Sequence, residues 1–150
     1  MKKSIITLLS ILGLMVLASF SPQGTEISVI VNKENPVGTL SAGEAKLYWL
    51  RKIKKRWPDI NKNIKPVDRK AKCIEQETFY SKVLNMTATD VESYFTQKQY
   101  ESAEKPQDKF PNDAAIISFV SEEQGAIGFV NSSSLSVEDK NKVKVVLTIQ

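Results

Sequence analysis

The chain has 150 residues, with 21 Lys and Arg against 17 Asp and Glu, a formal net charge of +4, one cysteine and no histidine. The absence of histidine excludes imidazole acid–base chemistry, Ser-His catalytic triads and histidine-ligated zinc. The single cysteine excludes a disulfide within the chain, and so small a net charge gives no support to nucleic-acid binding.

The N-terminus has the pattern of a secretory signal. Lys2 and Lys3 precede a nearly unbroken apolar run over residues 5–18, which ends in the small residue Ala18. A membrane-spanning helix needs about 20 apolar residues, so a cleaved signal is favoured over an uncleaved anchor. No cysteine follows the run, which disfavours lipid attachment. We therefore predict a signal peptide at 1–18, a linker at 19–25 and one domain at 26–150 that has no membrane span after cleavage.

The first part of this domain is predicted to form a strand, a helix and a second strand. Residues 26–32 are rich in β-branched side chains and are typical of a strand. Ser41 and Glu44 have the spacing of a capping box, so a helix is expected to begin near Ala42. Residues 45–50 are apolar nearly all round this helix and are expected to lie in the core. The next strand is predicted at residues 63–68.

The remainder is predicted to contain three helices followed by two strands. Residues 75–84 and the segment that begins at 87–90 have apolar side chains at helical spacing. Residues 101–111 are polar, contain two prolines and are interpreted as a loop. Asn112 is expected to cap a helix that ends near residue 123, and strands are predicted at 126–130 and 143–149. The order β-α-β-α-α-α-β-β indicates a small α/β layered domain.

Positive charge is concentrated in one part of the chain. Between Lys46 and Lys72 there are eleven basic residues against two acidic ones, Asp59 and Asp68. Two interpretations remain open: a solvated face that is balanced by acidic residues elsewhere in the fold, or a patch that binds phosphate, lipid headgroups or an acidic partner.

The end of the strand at 63–68 is the strongest candidate for a binding site. Asp68 and Arg69 close this strand, and the following helix is expected to present the unpaired backbone N–H groups of Ile74 and Glu75. A guanidinium beside the N-terminus of a helix is a common arrangement for binding an oxyanion. The alternative for Arg69 is a structural ion pair with Asp68 or another acid.

Short motifs occur in a characteristic order along nearly all of the predicted domain. They are residues 27–32, residues 35–37, Leu40-Ser41, Leu50, Trp57-Pro58, residues 64–69, Phe79 and the Gly-Ala-Ile-Gly-Phe-Val segment at 125–130. Together they resemble the short, single-lobe relatives of the substrate-binding protein of the bacterial phosphate ABC transporter, which has a type II periplasmic binding protein-like fold. The resemblance implies a single three-layer lobe in which about four helices flank a small mixed sheet.

The same resemblance implies an anion site at the helix that follows Arg69. Its residues would be Arg69, Cys73, Ile74, Glu75 and Ser41. The family pattern after the arginine is Arg-x-x-x-Ser-Gly-Thr, and Cys73-Ile74-Glu75 stands in its place. Two hydroxyl donors are replaced, the glycine is lost, and a carboxylate enters the first helical turn, so we expect only weak binding of phosphate or a similar oxyanion.

We therefore expect a non-enzymatic, exported, periplasmic solute-binding-like protein related to phosphate transport, with no cofactor, metal or catalytic residue and an ABC transporter as a possible partner. The enzymatic alternative is catalysis through Cys73, whose thiol pKa would be lowered at a helix N-terminus, and a partly buried, inert cysteine is favoured over it. The non-enzymatic alternative is an envelope adaptor that kept the fold and lost the ligand. It would bind another protein through the basic residues at 46–72 or through a surface formed by Tyr48 and Trp49.

The signal-peptide prediction has a direct test. Mass spectrometry of the protein from its native envelope should find a chain that begins at or near Ser19, because the apolar run is short and ends in Val-Leu-Ala. An intact Met1 in a membrane fraction would contradict this prediction.

Overall fold

The computed structural model describes residues 24–52 and 56–150. The predicted signal peptide and most of the predicted linker lie outside these residues. Within them, five strands form one sheet: β1 (Ile27–Asn32), β2 (Lys65–Arg69), β3 (Asp108–Phe110), β4 (Ala126–Asn131) and β5 (Val143–Ile149). Four helices pack on this sheet: α1 (Ala42–Trp49), α2 (Ile74–Phe79), α3 (Ala88–Ser102) and α4 (Asp113–Glu122).

The sheet is mixed and has the order β3-β2-β4-β1-β5. Strand β1 is antiparallel to both of its neighbours, β4 and β5, whereas β2 is parallel to β3 and β4. The carboxyl ends of β2 and β3 therefore lie at the same edge of the sheet. This edge is where open α/β sheets bind their ligands.

Helices cover both faces of the sheet and make three layers. One apolar cluster joins α1, α2 and α3 to one face, and a second joins α4 to the other. Strand β1 supplies both clusters, since Val29 and Val31 belong to the first and Ile30 to the second. The predicted α/β class and single three-layer lobe are confirmed. No helix in the described part of the chain is both long enough and apolar enough to cross a membrane.

Two of the predicted elements differ in detail from the structure. The segment 101–111, interpreted as a loop, contains the short strand β3, which pairs with β2 from Val67 to Arg69. Three residues of the sequence Asp-Lys-Phe carry too little pattern to predict a strand. Helix α2 continues beyond Phe79 as a π-helical turn, Tyr80–Leu84, which no sequence periodicity specifies.

Tyr48 and Trp49 do not form a surface, so that part of the adaptor hypothesis is wrong. Trp49 is 1% exposed and packs against the stacked rings of Phe79 and Phe129, with centroid distances of 4.6 and 6.0 Å. Its indole Nε1 donates a hydrogen bond to the backbone oxygen of Val67 at 3.3 Å. Tyr48 is also buried. Because α1 lies against the sheet, its aromatic residues enter the core.

Trp49→Ala should destabilise the protein by about 3 kcal/mol or more, since it removes a buried indole and leaves a cavity. Urea denaturation followed by circular dichroism would measure the change. Val137→Ala is the control, because Val137 is 82% exposed and its truncation should change the free energy of unfolding by less than about 0.5 kcal/mol. An unchanged denaturation midpoint in the Trp49 variant would contradict the packing described above.

Candidate functional site

The last side chains of strand β2 lie on alternate faces of the sheet. Val67 belongs to the apolar cluster on the α4 face, and Arg69 contacts Asp113 in α4. Asp68, which lies between them, accepts a hydrogen bond from Gln76 in α2. This is the alternation that a strand imposes on consecutive residues. The adjacent opposite charges therefore lie on different sides of the sheet.

The carboxylate of Asp68 is buried in a dense hydrogen-bond network. Oδ1 accepts from the backbone N–H of Arg69 at 2.7 Å and from Nε2 of Gln76 at 3.1 Å, while Oδ2 accepts from the hydroxyl of Tyr80. Burial, together with the negative charge of Asp68, raises the pKa of Tyr80 above its ordinary value of 10.0. Tyr80 therefore remains a neutral donor to the carboxylate.

The guanidinium of Arg69 is 6% exposed and has an acidic partner within the chain. Its Nη2 contacts Oδ1 of Asp113 as an ion pair, whereas its Nε has no hydrogen-bond partner among the described residues. Oδ2 of Asp113 accepts from the backbone N–H of Asn131 at 3.2 Å and from the hydroxyl of Ser134. Of the acidic partners considered for Arg69, the structure selects Asp113 and not Asp68.

The first turn of α2 adds a second carboxylate near Arg69. Cys73 is the N-cap and is extended, with φ −150° and ψ 167°, but its thiol makes no capping hydrogen bond. Partial burial acts to raise the pKa of Glu75, but this pKa is lowered overall by hydrogen bonds to its own backbone, Cys73 and Asn131 and by the charge of Arg69. Glu75 is therefore held as an anion close to the guanidinium.

The thiol of Cys73 is not activated by its position. Burial raises its pKa, and this effect outweighs the favourable charge of Arg69. The expectation of a lowered pKa at a helix N-terminus is therefore wrong for this cysteine. The enzymatic hypothesis that rested on it loses its physical basis.

The predicted site residues are only partly brought together. Cys73 and Glu75 both lie close enough to Arg69 to be affected by its positive charge. Ile74, between them in the sequence, has a side chain that is 55% exposed. The hydroxyl of Ser41 is occupied elsewhere: it donates to Oε2 of Glu44 at 2.9 Å and accepts from the N–H of Glu44 at 3.2 Å. Ser41 thus acts as the predicted helix cap.

Asp113 is the site residue that the sequence did not reveal. It follows the N-cap Asn112, whose side chain accepts from the N–H of Ala115 at 2.9 Å. An acidic residue in the first turn of a helix is already favoured by the helix dipole, so its presence at position 113 did not indicate an ion pair with a distant arginine. Its pairing with Arg69 depends on β2 and β3 being neighbours, because β3 leads directly into α4.

The connections from β2 and β3 leave the sheet on opposite faces. Strand β2 leads to α2 on one face, and β3 leads to α4 on the other. The two strand ends are joined where the N–H of Lys70 donates to the backbone oxygen of Phe110 at 2.8 Å. Such a switch point leaves a crevice at the carboxyl ends of the strands, and Arg69 lies there between the N-termini of two helices.

Nearby acids neutralise part of the predicted basic region. Lys65 pairs with Glu123 at 2.6 Å, and Lys72 pairs with Glu77 at 3.0 Å. Together with the buried pair of Arg69, these contacts favour the interpretation in which acids elsewhere in the fold balance the basic residues. Lys70 remains exposed beside the crevice.

Tyr80→Phe should lower the free energy of unfolding by about 1 to 3 kcal/mol near neutral pH, because a buried carboxylate loses a donor. Above about pH 10, Tyr80 of the wild type ionises in the unfolded state but not in the folded state, so the wild-type free energy of unfolding falls as the pH rises. The variant lacks this hydroxyl, so the difference in the free energy of unfolding between the two proteins should become smaller. Urea denaturation between about pH 7 and about pH 11 measures both effects. Tyr100→Phe, at an 87% exposed position, should leave stability near neutral pH unchanged. A difference in the free energy of unfolding that does not change with pH would contradict the raised pKa of Tyr80.

No protein-family model and no curated protein sequence matches this chain. Solved structures do match it. A protein from Clostridium perfringens, described as a phosphate ABC transporter substrate-binding protein with bound phosphate, is 22% identical, with a TM-score of 0.58 over 80% of this chain and 43% of its own. An ABC-type phosphate transport receptor from Vibrio cholerae is 19% identical, with a TM-score of 0.60 over 83% of this chain and 50% of its own.

A protein from Planctomyces limnophilus DSM 3776, described as a phosphate-binding protein, is 18% identical, with a TM-score of 0.60 over 83% of this chain and 42% of its own. The chain thus spans about half or less of the length of each of these proteins. The resemblance found in the sequence is confirmed at the level of the fold, since the chain has the architecture of a single lobe of a periplasmic binding protein.

Proposed function

We propose that this protein is a non-enzymatic, solute-binding-like lobe that weakly binds phosphate or a similar oxyanion in the crevice around Arg69. The observation that carries the proposal is the position of this arginine. Its buried guanidinium lies at the carboxyl end of β2, close to the N-termini of α2 and α4, and its Nε has no partner among the described residues. This Nε is buried, so a tetrahedral oxyanion that displaces the carboxylate of Asp113 would accept from the guanidinium and from backbone N–H groups of α2.

The comparisons support a solute-binding role of this kind. The descriptions of all three solved proteins name phosphate transport or phosphate binding, and one of these structures contains bound phosphate. At 18 to 22% identity they support the fold, whereas the ligand is our inference from Arg69 and its surroundings.

The charges around the crevice limit the expected affinity. Asp113 already contacts the guanidinium, and Glu75 lies near the same positive charge. An incoming anion must displace or tolerate these carboxylates, which repel it. The thiol of Cys73 is a poor donor, and the side chain of Ile74 occupies a position where the family pattern has glycine. Binding should therefore be weak unless a partner covers the crevice.

We further propose that the protein is exported to the periplasm through the signal at residues 1–18, where an ABC transporter is its candidate partner. The adaptor hypothesis is less favoured, because Tyr48 and Trp49 are buried and several of the basic residues are paired with acids. It would still be the hypothesis to pursue if no anion binds.

Arg69→Ala should weaken phosphate binding by at least about 1.5 kcal/mol, roughly tenfold in Kd, because a charge-assisted contact is lost. Asp113→Asn should strengthen binding, since it removes the competing negative charge while keeping a similar shape. Isothermal titration calorimetry measures both. Lys82→Ala is the matched control for loss of a positive charge, as Lys82 is exposed and lies on the π-helical turn away from the end of β2.

The combined variant Cys73→Ser, Ile74→Gly and Glu75→Thr restores the family pattern and should also strengthen binding. Circular dichroism must first establish that each variant is folded, and Arg69→Lys provides a variant that retains the charge. If neither the native protein nor the restored variant binds phosphate or sulfate at millimolar concentration, the oxyanion proposal is refuted.

A further inference from the structure

A cavity lies beside β2 on the face of the sheet that carries α2 and α3. It has a volume of about 370 Å³, is open to solvent on one side, and is bounded by β2, α2, α3 and the edge strand β3. This volume falls within the range of small-molecule sites. Arg69 belongs to its lining, whereas Asp113 and Glu75, the carboxylates beside the guanidinium, do not. The cavity therefore adjoins the proposed oxyanion crevice and extends from it over Gln76, Phe95 and Gln107.

Two buried glutamines line this cavity and have fixed amide orientations. Gln107 is 6% exposed, and its Nε2 donates to the backbone oxygen of Trp49 at 2.8 Å. Gln76 is 7% exposed, and its Nε2 donates to Asp68 and to the backbone oxygen of Arg69. Because a carboxylate and a carbonyl only accept, each amide must present Oε1 as its free acceptor. Neither Oε1 accepts a hydrogen bond within the described part of the chain.

The other walls of the cavity combine an apolar surface with positive charge. Val91 and Phe95 of α3 form a buried apolar wall. At the rim, the exposed Lys70 and Lys109 have no acidic partner within ion-pair distance in the described part of the chain. Glu92 is the exposed carboxylate on the same rim.

The buried carboxylate in the lining does not cancel this positive rim. Asp68 has its oxygens engaged by three donors, namely the N–H of Arg69, the amide of Gln76 and the hydroxyl of Tyr80. Its negative charge is therefore already stabilised from within the fold. A ligand suited to the cavity has hydroxyl donors, an apolar face and an anionic group.

We propose that this cavity binds a phosphorylated sugar. The hydroxyls of the sugar donate to Oε1 of Gln76 and Gln107, the apolar face of its ring packs on Phe95, and its phosphate interacts with Lys70 and Lys109. This ligand matches the three chemical features of the cavity at once, whereas inorganic phosphate would use only the lysines. The site goes beyond the proposed function, because the sugar contacts Gln76, Gln107 and Phe95, which take no part in the proposed oxyanion site, although Arg69 borders both.

The test is calorimetric titration of the purified protein with glucose 6-phosphate, with glucose and inorganic phosphate as separate arms. Glucose 6-phosphate should bind saturably and more tightly than glucose. Lys70→Ala with Lys109→Ala should weaken its binding about tenfold or more, as two charge-assisted contacts are lost. Lys82→Ala with Lys140→Ala removes the same charge from exposed positions outside this lining and should change the affinity less than twofold.

A blocking variant separates this site from the oxyanion crevice. Thr96→Trp places a large side chain in the lining from the exposed side of α3 and should abolish binding of glucose 6-phosphate, whereas Thr89→Trp on the same helix lies outside the lining and should not. Binding of inorganic phosphate at Arg69 should be unaffected by Thr96→Trp. The proposal is overturned if glucose 6-phosphate shows no saturable binding up to about 10 mM. It is equally overturned if neither the folded Thr96→Trp variant nor the double lysine variant weakens its binding.

Discussion

The burial of two adjacent opposite charges at the end of β2 is the constraint on which the rest of this lobe depends. A buried charge is costly unless it is paired and hydrogen-bonded. Strand geometry prevents Asp68 and Arg69 from pairing across one face, so each needs a partner from a different layer. Tyr80 and Gln76 satisfy Asp68 from the α2 side, and Asp113 satisfies Arg69 from the α4 side. The same two residues thereby link the helices on both faces to the sheet.

This arrangement also explains why the proposed oxyanion site should be weak. In a site that is preorganised for an anion, donors converge on a position that no protein carboxylate occupies. Here Asp113 contacts the guanidinium, and Glu75 lies in the first turn of the neighbouring helix. The local charges are thus largely compensated within the chain. Stability of the lobe and affinity for an external anion oppose each other at this arginine.

Close backbone packing holds the sheet that presents these groups. A Cβ at Gly128 in β4 would lie 2.6 Å from Cγ2 of Ile116 in α4, closer than side chains tolerate. At Gly125, just before β4, a Cβ would lie 2.1 Å from the backbone oxygen of Asn63. These glycines are required by close approach to α4 and to the segment before β2, and not by any phosphate-cradling loop. They keep β2, β4 and α4 at the short separations on which the pairing of Arg69 depends.

The sequence alone determined the features that depend on residues a few positions apart. The capping box of Ser41 and Glu44, the cap at Asn112 and the principal strands were predictable because their signals are local. The core position of Tyr48 and Trp49 was also predicted, because the helix is apolar nearly all round at residues 45–50. The three-residue strand β3 carried too weak a pattern to be predicted. Only the tertiary structure decided that Asp113 pairs with Arg69, because the two residues meet through the order of the strands and not through their spacing along the chain.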